Sequence, residues 1–224
     1  MVLLAAAGVA ALLGALLWAW GWDDWRGYFG HPARSAVVVV FIVGWVALAV
    51  ATLFEHGVGK VLQRPKQRRA DPWWFWAVLA GAVATLFWLG PYGDRRGVAV
   101  LPDGDALRYA GLVLFLVGAA VRLTARVTLG ARHLPVVGEI EGHQLQTQGI
   151  YRFVRNPSYL GGIVATLGMA LILRSWAGVI AAGAVAAALR ARLVREESFL
   201  AERFGDEWRA YAARVPRFLP RFRP

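Results

Sequence analysis

The stretch "NPSYLGGIVATLGMALILRSWAGVIAAGAVAAALRARLVREE", Asn156 to Glu197, holds two short apolar blocks joined by only two residues. The blocks are Tyr159–Leu173 and Trp176–Leu189, and Arg174-Ser175 separates them. As helices rising about 1.5 Å per residue, they would be roughly 21–23 Å long, shorter than the ~30 Å hydrocarbon core of a bilayer. The stretch therefore predicts a tight helical hairpin whose polar ends lie at or below the headgroup level.

Both free ends of this hairpin carry polar residues. Asn156-Pro157-Ser158 precedes the first helix, and Arg190 to Glu197 follow the second. Because lipid does not tolerate such groups at that depth, we expect them to line a polar cavity. Pro157 suits a first helical turn, and Asn156 can cap its free N–H groups. A helix N-terminus flanked by arginine donors suits a carboxylate or phosphate, and Arg152 and Arg155 supply such donors.

The composition of the whole chain places it among integral membrane proteins. Its 224 residues are 58% hydrophobic, include 11 Trp and have a mean hydropathy of +0.48. Cysteine is absent, which excludes disulfides and thiolate nucleophiles, and the four histidines form no HxxxH or HExxH pair that would predict a metal site. The net charge of +11 sits mostly beside apolar blocks, which indicates topology and anionic headgroups rather than nucleic acid.

Four further apolar blocks precede the hairpin and bring the predicted number of transmembrane helices to six. They are Val2–Trp20, Ser35–Phe54, Trp73–Leu89 and Leu107–Leu123. Alternate connections divide the basic residues unequally, with 19 on the side of both termini and six on the other. The positive-inside rule then places both termini in the cytoplasm. We predict an all-α polytopic protein of a bacterial inner membrane, the bacterial source resting on its richness in Arg, Ala and Gly.

The tail beyond the hairpin predicts two cytoplasmic helical segments. Arg192 and Glu196 are four residues apart and can pair along one face, which continues the sixth helix past the membrane. Gly205 predicts the end of that helix, and Asp206 the cap of a second one running to Val215. An apolar stripe along this part of the tail would lie on the membrane or fold over the cavity. The stripe comprises Phe204, Trp208 and Tyr211.

Two blocks of this sequence resemble the signatures of one enzyme family. "HQLQTQGIYRFVRNPSYLGG" (His143–Gly162) is similar to the HxLxTxGxYxxxR(H/N)PxYxG signature of isoprenylcysteine carboxyl methyltransferase-like and phospholipid methyltransferase-like membrane enzymes. The tail resembles their second signature in order and spacing. Its matching residues are Glu196-Glu197, Phe204-Gly205, Trp208, Tyr211, Val215-Pro216-Arg217 and Pro220. The resemblance covers the chain from about Leu107 to the end. It departs at Asn156, where the carboxyl methyltransferases usually carry His, and at Trp208, where Tyr is common.

The resemblance implies a methyltransferase that depends on S-adenosylmethionine, with residues 107–224 as its core and a cytoplasmic cofactor pocket. Residues 1–106 would form a three-helix region that shapes the acceptor tunnel. Arg195 and Glu196 would face the methyl acceptor as catalytic residues. The implied cofactor-binding residues are His143, Gly149, Tyr151, Arg155, Asn156, Pro157, Tyr159 and Glu197.

The sequence leaves the methyl acceptor open among a lipidated carboxylate, a phospholipid amine and a hydrophobic thiol. A carboxylate or thiolate needs no general base at neutral pH, whereas an amine must lose a proton, with Glu196 or His143 as candidate base. One alternative enzyme is a membrane reductase of the sterol-reductase type, which uses NADPH and whose signature has a similar Arg-His-Pro-Asn-Tyr core. Its usual Gly-Glu after the tyrosine is absent here, where Leu160-Gly161 follows Tyr159. A transporter or scaffold is the non-enzymatic alternative.

Overall fold

The computed structural model describes residues 2–44, 46, 67–69, 71–102, 104–129, 137–139 and 145–218. The chain begins with α1 (Val2–Trp20), a 3₁₀ turn (Trp22–Asp24) and the short α2 (Trp25–Phe29). Helix α3 (Pro32–Gly44) follows, and the segment Trp22–Phe29 meets it at 96°. The predicted polytopic helical architecture is confirmed.

The third span is one helix with a change of hydrogen-bond register inside it. Helix α4 (Trp73–Ala84) continues through a π-helical turn (Thr85–Leu89) into α5 (Gly90–Arg96). The amide of Gly90 bonds to the carbonyl of Thr85, five residues back. Pro91 follows at once and has no N–H to donate, so a π turn here lets the helix continue past the missing donor. The span is therefore 24 residues long, Trp73–Arg96.

Three long helices complete the fold: α6 (Asp105–Leu129), α7 (Pro157–Ile172) and α8 (Trp176–Arg214). A 3₁₀ turn, Gly149–Arg152, precedes α7. Helix α8 is 39 residues long, far longer than the predicted apolar block, and breaks at Gly205, whose φ is 51° and ψ −119°. The predicted helix end at Gly205 is thus confirmed as a kink between two helical segments.

Among the described residues, three helices are long and apolar enough to cross a bilayer: Trp73–Arg96, Asp105–Leu129 and Trp176–Arg214. The bent pair at Trp22–Gly44 would make a fourth if it acts as one span, and two further apolar helices, Ala7–Trp20 and Pro157–Ile172, are shorter. The count of six spans stays a prediction.

The fold also contains two strands that the sequence did not predict. Strand β1 (Gln67–Arg69) pairs antiparallel with β2 (Val137–Glu139), with Arg68 opposite Gly138. The two strands belong to the connections that precede α4 and α7, both predicted to lie on the same side of the membrane. Their backbone pairing joins the N-terminal half of the chain to the half that carries the two signatures.

Helices α6 and α7 pack with their backbones in contact through glycines spaced seven residues apart. A Cβ atom at Gly118 would lie 2.6 Å from the carbonyl oxygen of Gly161, and one at Gly168 would lie 2.6 Å from that of Gly111. Such approaches exclude any side chain, and small residues allow them in membrane helices. Gly161 and Gly118 therefore lie where the backbones of the two helices meet.

The turn between α7 and α8 is fixed by the loop that connects α5 to α6. Arg174 adopts a left-handed φ of 49°, and Ser175 caps α8 by accepting the amide of Gly178 at 3.0 Å. Leu101 bonds to this turn through its amide and its carbonyl. The hairpin is thus held at its closed end, and its free ends, near Asn156 and Glu197, come together at the other.

A buried carboxylate fastens the N-terminal helices to the hairpin at this closed end. The Asp94 side chain is fully buried and pairs with Arg34 at 2.9 Å and with Arg108 at 2.6 Å. Arg108 also donates to the carbonyl of Ile172, at the end of α7. These contacts link α3, α5, α6 and α7. Removal of one member would leave an uncompensated buried charge and would therefore be destabilising.

Candidate functional site

A cavity of about 1130 Å³ lies between α3, α4, α6, α7 and α8. Its lining changes character along its length. Apolar side chains of the helices form most of it, among them Val39, Val43, Leu79, Val83, Leu116 and Leu123. Polar and aromatic side chains from both signature blocks form the rest. They include Tyr151, Arg155, Asn156, Tyr159, Glu196, Trp208 and Tyr211. The predicted polar cavity at the free ends of the hairpin is therefore present.

The 3₁₀ turn before α7 places Tyr151 in the cavity wall. Gly149 begins this turn with φ +60°, and a Cβ atom there would lie 2.8 Å from Cγ2 of Thr128 on α6. Gly149 thus allows the turn to approach α6, while Tyr151 reaches the cavity itself. Burial raises the pKa of the Tyr151 hydroxyl, and the nearby Glu196 carboxylate adds to the effect. Tyr151 therefore stays a neutral hydrogen-bond donor at physiological pH.

Asn156 and Pro157 start α7 as predicted, but the predicted cap is wrong. Pro157 is fully buried in the first turn, and Asn156 occupies the N-cap position without a side-chain hydrogen bond to the helix. Its amide Nδ2 lies 3.3 Å from Oε1 of Glu197 and donates to it instead. A cap would need Oδ1 of Asn156 to accept an N–H of the first turn, but no such bond forms, and Nδ2 donates to a charged acceptor, which makes a stronger bond than a neutral one. Asn156 therefore links the two helices.

Arg155 and Glu197 meet across the free ends of the hairpin. Nη2 of Arg155 lies 3.6 Å from Oε1 of Glu197, and the guanidinium also lies over the ring of Trp208 at 5.6 Å. The Nε atom of Arg155 is buried and has no hydrogen-bond partner among the residues that the structure describes. Arg155 lines the cavity, whereas the described lining does not include Glu197. Glu197 thus lies behind Arg155 and holds it.

Glu196 faces the cavity beside Tyr159. The Tyr159 hydroxyl donates to Oε2 of Glu196, and both side chains line the cavity wall. Tyr159 comes from the first turns of α7 and Glu196 from α8, so their bond closes the wall between the two helices. The two adjacent acids of α8 thus have different environments, since Glu196 points into the cavity and Glu197 toward Arg155.

Arg195, predicted to face the acceptor, is instead paired on another side of α8. Its Nη2 lies 3.0 Å from Oδ1 of Asp71, a fully buried carboxylate just before α4. Arg192 lines the cavity instead, with its Nε 3.5 Å from Oδ2 of Asp71 and its guanidinium 5.2 Å from the ring of Phe75.

Helical spacing could have identified this face of α8. The lining residues recur at intervals of three and four, which places them on one side of a helix. They are Val185, Leu189, Arg192, Glu196, Phe199 and Leu200. Arg195 immediately precedes Glu196, so it points about 100° away from this side. Asp71 had no comparable signal, because its partners are distant in sequence.

The tail folds back over the start of α7, as the sequence allowed. The hydroxyl of Tyr211 donates to the carbonyl of Tyr151 at 2.7 Å, and Trp208 and Tyr211 line the cavity. Beyond α8, Pro216 accepts the amide of Arg155 at 2.9 Å. Arg217 contacts Glu197 through an Nη2–Oε2 distance of 2.9 Å. The second signature therefore completes the wall that the first one begins.

Two further predictions concern a histidine and metal binding. His143 lies outside the described residues. Within the described part of the chain, the structure shows no group of three or more His, Asp or Glu side chains that could hold a metal ion.

The chain is similar to known methyltransferases in sequence and in fold. Residues 107–207 match the phospholipid methyltransferase family. Protein-S-isoprenylcysteine O-methyltransferase B of Arabidopsis thaliana is 34% identical over 113 residues, which make up 49% of this chain and 57% of that protein. The Homo sapiens protein-S-isoprenylcysteine O-methyltransferase is 34% identical over 117 residues, 51% of this chain and 41% of that protein. This chain thus spans little more than half the length of the first curated relatives it matches.

A solved structure extends the likeness in fold beyond the signature blocks. The eukaryotic intramembrane Ras methyltransferase, an isoprenylcysteine carboxyl methyltransferase, superposes with a TM-score of 0.61 at 19% identity. The superposition covers 96% of this chain and 75% of that one, so the N-terminal helices share its fold too. Together with the two signature blocks around one cavity, these findings show that the chain is similar in sequence to protein-S-isoprenylcysteine O-methyltransferases and in fold to an isoprenylcysteine carboxyl methyltransferase.

Proposed function

We propose that this protein transfers a methyl group from S-adenosylmethionine to a hydrophobic acceptor within the membrane. The observation that carries the proposal is the single cavity that joins the polar residues of both signature blocks to an apolar lining between helices. A polar nucleotide-like cofactor and an apolar acceptor can meet only where two such environments adjoin. The family match favours this chemistry over the reductase alternative.

The residues of the polar end fit the cofactor. S-adenosylmethionine would supply a methyl group on a sulfonium together with a carboxylate, an ammonium and ribose hydroxyls. Arg155 presents a buried Nε without a partner in the described part of the chain, which suits a carboxylate. Tyr151 and Asn156 add neutral polar groups, and Trp208 adds an aromatic face. Gly149, Pro157 and Glu197 act by shaping this end, and His143 stays a candidate contact.

The contribution of the chain to the reaction is placement and exclusion of water. Methyl transfer from a sulfonium is an in-line displacement in which charge is lost, so orientation and a dry site accelerate it. Glu196 and Tyr159 stand on the wall that both reactants would share, where they position the acceptor. Arg195 has an indirect role on the acceptor side. It pairs with Asp71, and Asp71 also holds Arg192, which lines the cavity.

The acceptor we favour is a lipidated carboxylate. The curated relatives are named O-methyltransferases of isoprenylcysteine, and the solved structure is that of a carboxyl methyltransferase. A carboxylate needs no general base at neutral pH, so Glu196 can remain bonded to Tyr159. Residues 1–106 would shape the acceptor end, since α3 and α4 supply much of its apolar lining.

We also propose that the site and both termini face the cytoplasm of a bacterial cell. The 19-to-6 distribution of basic residues supports this orientation, and the cofactor is available on that side.

Calorimetry on the purified protein in a neutral detergent tests the proposal. We expect S-adenosylmethionine and its demethylated product, S-adenosylhomocysteine, to bind, and NADPH not to bind. Binding of NADPH without binding of S-adenosylmethionine would contradict the proposed methyltransferase function and support the reductase alternative.

A further inference from the structure

Arg122 on α6 presents its charge to the cavity at the level where the polar and apolar linings meet. It is one of the cavity-lining residues, together with Leu123 and Leu116 on the apolar side and Ser158 on the polar side. Its side chain is exposed; an apolar stretch of α6 precedes it, and Arg126, which also lines the cavity, follows four residues later. A charge on a membrane helix is a candidate functional group, because lipid stabilises it poorly.

The neighbouring glycine of α7 makes room for this guanidinium. A Cβ atom at Gly162 would lie 2.7 Å from Nη1 of Arg122, whereas a Cβ atom at Gly161 would meet the backbone of α6. The two adjacent glycines therefore serve different purposes. Gly161 permits helix packing, and Gly162 provides the surface on which the Arg122 side chain rests.

The guanidinium of Arg122 has different surroundings from those of two other arginines in the cavity lining. Arg155 pairs with Glu197 at 3.6 Å, and Arg192 lies 3.5 Å from Asp71. Nη1 of Arg122 lies 3.5 Å from the neutral carbonyl oxygen of Ser158, and no carboxylate of the described segments pairs with it. A seated guanidinium without a counter-charge beside an apolar chamber suits the anionic group of an amphiphile.

We propose that Arg122 is a specificity-determining residue that binds an anionic group, a carboxylate or a phosphate, on the acceptor. The inference rests on the proposed function for the identity of the acceptor site, but it assigns the residue from the geometry of Arg122 and Gly162. The apolar tail of the acceptor then lies among α3, α4 and α6, and its anionic group points toward Glu196 and the cofactor end. A protonated amine of the same length is repelled by Arg122.

Selective binding of amphiphiles tests this assignment independently of catalysis. Palmitate, hexadecyl phosphate and hexadecylamine share one tail and differ in charge, and Trp76 and Trp208 of the lining allow binding to be followed by fluorescence. We expect the wild-type protein to bind at least one anion about tenfold or more tightly than the amine, a difference of about 1.4 kcal/mol or more. The stronger of the two anions identifies carboxylate or phosphate as the preferred group.

Three variants and one control locate the effect. Arg122→Gln should abolish the preference for anions, and Arg122→Lys should retain part of it. Gly162→Ala should reduce the preference while the protein still folds, because the new methyl group displaces only the flexible end of Arg122. Gly183→Ala on α8, where a Cβ atom would meet nothing within 4 Å, should behave as the wild type does.

Equal binding of anions and amine by the wild type would overturn the inference. So would an unchanged preference in both Arg122→Gln and Gly162→Ala. Binding of S-adenosylhomocysteine to the same samples reports separately on the proposed function, since its absence in the wild type would contradict that function whatever the amphiphiles do.

Discussion

Arg155 precedes α7 and Glu197 lies far along α8, yet their side chains meet with Nη2 and Oε1 3.6 Å apart. The pair exists because the turn at Arg174-Ser175 sends α8 back along α7. Asn156 and Arg217 also donate to the Glu197 carboxylate. One buried carboxylate thus holds the first signature, the last long helix and the tail in a single arrangement.

Loss of Arg155 or Glu197 should weaken cofactor binding strongly. Truncating one partner of a desolvated charge pair costs about 2–5 kcal/mol, so Arg155→Ala and Glu197→Ala should each raise the dissociation constant of S-adenosylhomocysteine about tenfold or more. Calorimetry on monodisperse protein measures this. Arg209→Ala is the matched control, because Arg209 forms an exposed ion pair with Asp206. If both variants bind S-adenosylhomocysteine as tightly as the wild type does, the Arg155–Glu197 pair has only a structural role.

Arg217 should matter less than Arg155, although both contact Glu197. Its side chain is 46% exposed, and solvent-exposed ion pairs contribute about 0.2–1 kcal/mol. Arg217→Ala should therefore weaken cofactor binding less than about fivefold. Arg217→Lys, which keeps the positive charge, should weaken cofactor binding less than Arg217→Ala does. An effect as large as that of Arg155→Ala would show that the tail contacts the cofactor directly.

Asp71 should be important for stability although it lies outside both signatures. Its fully buried carboxylate pairs with Arg195 at 3.0 Å and lies 3.5 Å from Arg192. Breaking such a buried pair costs about 3–5 kcal/mol, so Asp71→Asn should lower the thermal midpoint measured in detergent. Asp105→Asn, at a carboxylate that is 80% exposed, is the control. Equal midpoints for the two variants would contradict the role given to Asp71.

The adjacent glycines of α7 should respond differently to the same substitution. A Cβ atom at Gly161 would lie 2.5 Å from the Gly118 carbonyl oxygen, and neither backbone can move easily. Gly161→Ala should therefore destabilise the protein by about 1–3 kcal/mol through overpacking. Gly162→Ala should have little effect on the thermal midpoint. Similar midpoints for both variants would argue against the close packing of α6 on α7.

The sequence predicted those features that depend on local pattern. The hairpin followed from two apolar blocks around Arg174-Ser175, and the proximity of Arg155 to Glu197 followed from the hairpin. The kink at Gly205 was also predictable, because glycine adopts a positive φ without a steric penalty.

The features that the sequence did not predict depend on contacts between distant segments. Asp71 meets Arg195 across more than half of the chain, and the pairing of β1 with β2 joins two separate connections. Asn156 bonds to Glu197 rather than to its own helix because α8 brings a carboxylate within reach. The resemblance implied that Arg195 faces the acceptor, but its guanidinium pairs with Asp71, and Arg192 lines the cavity.

The proposed methyl transfer can be tested directly with S-adenosylmethionine labelled in its methyl group, purified protein and a total membrane lipid extract. We expect label to enter the lipid phase and mild base to release it as methanol, because the product is a carboxyl ester. Arg155→Ala protein should transfer far less label. Label that resists base would indicate an amine or thiol acceptor. Absence of label in any lipid, together with oxidation of NADPH by the same preparation, would contradict the proposed methyl transfer.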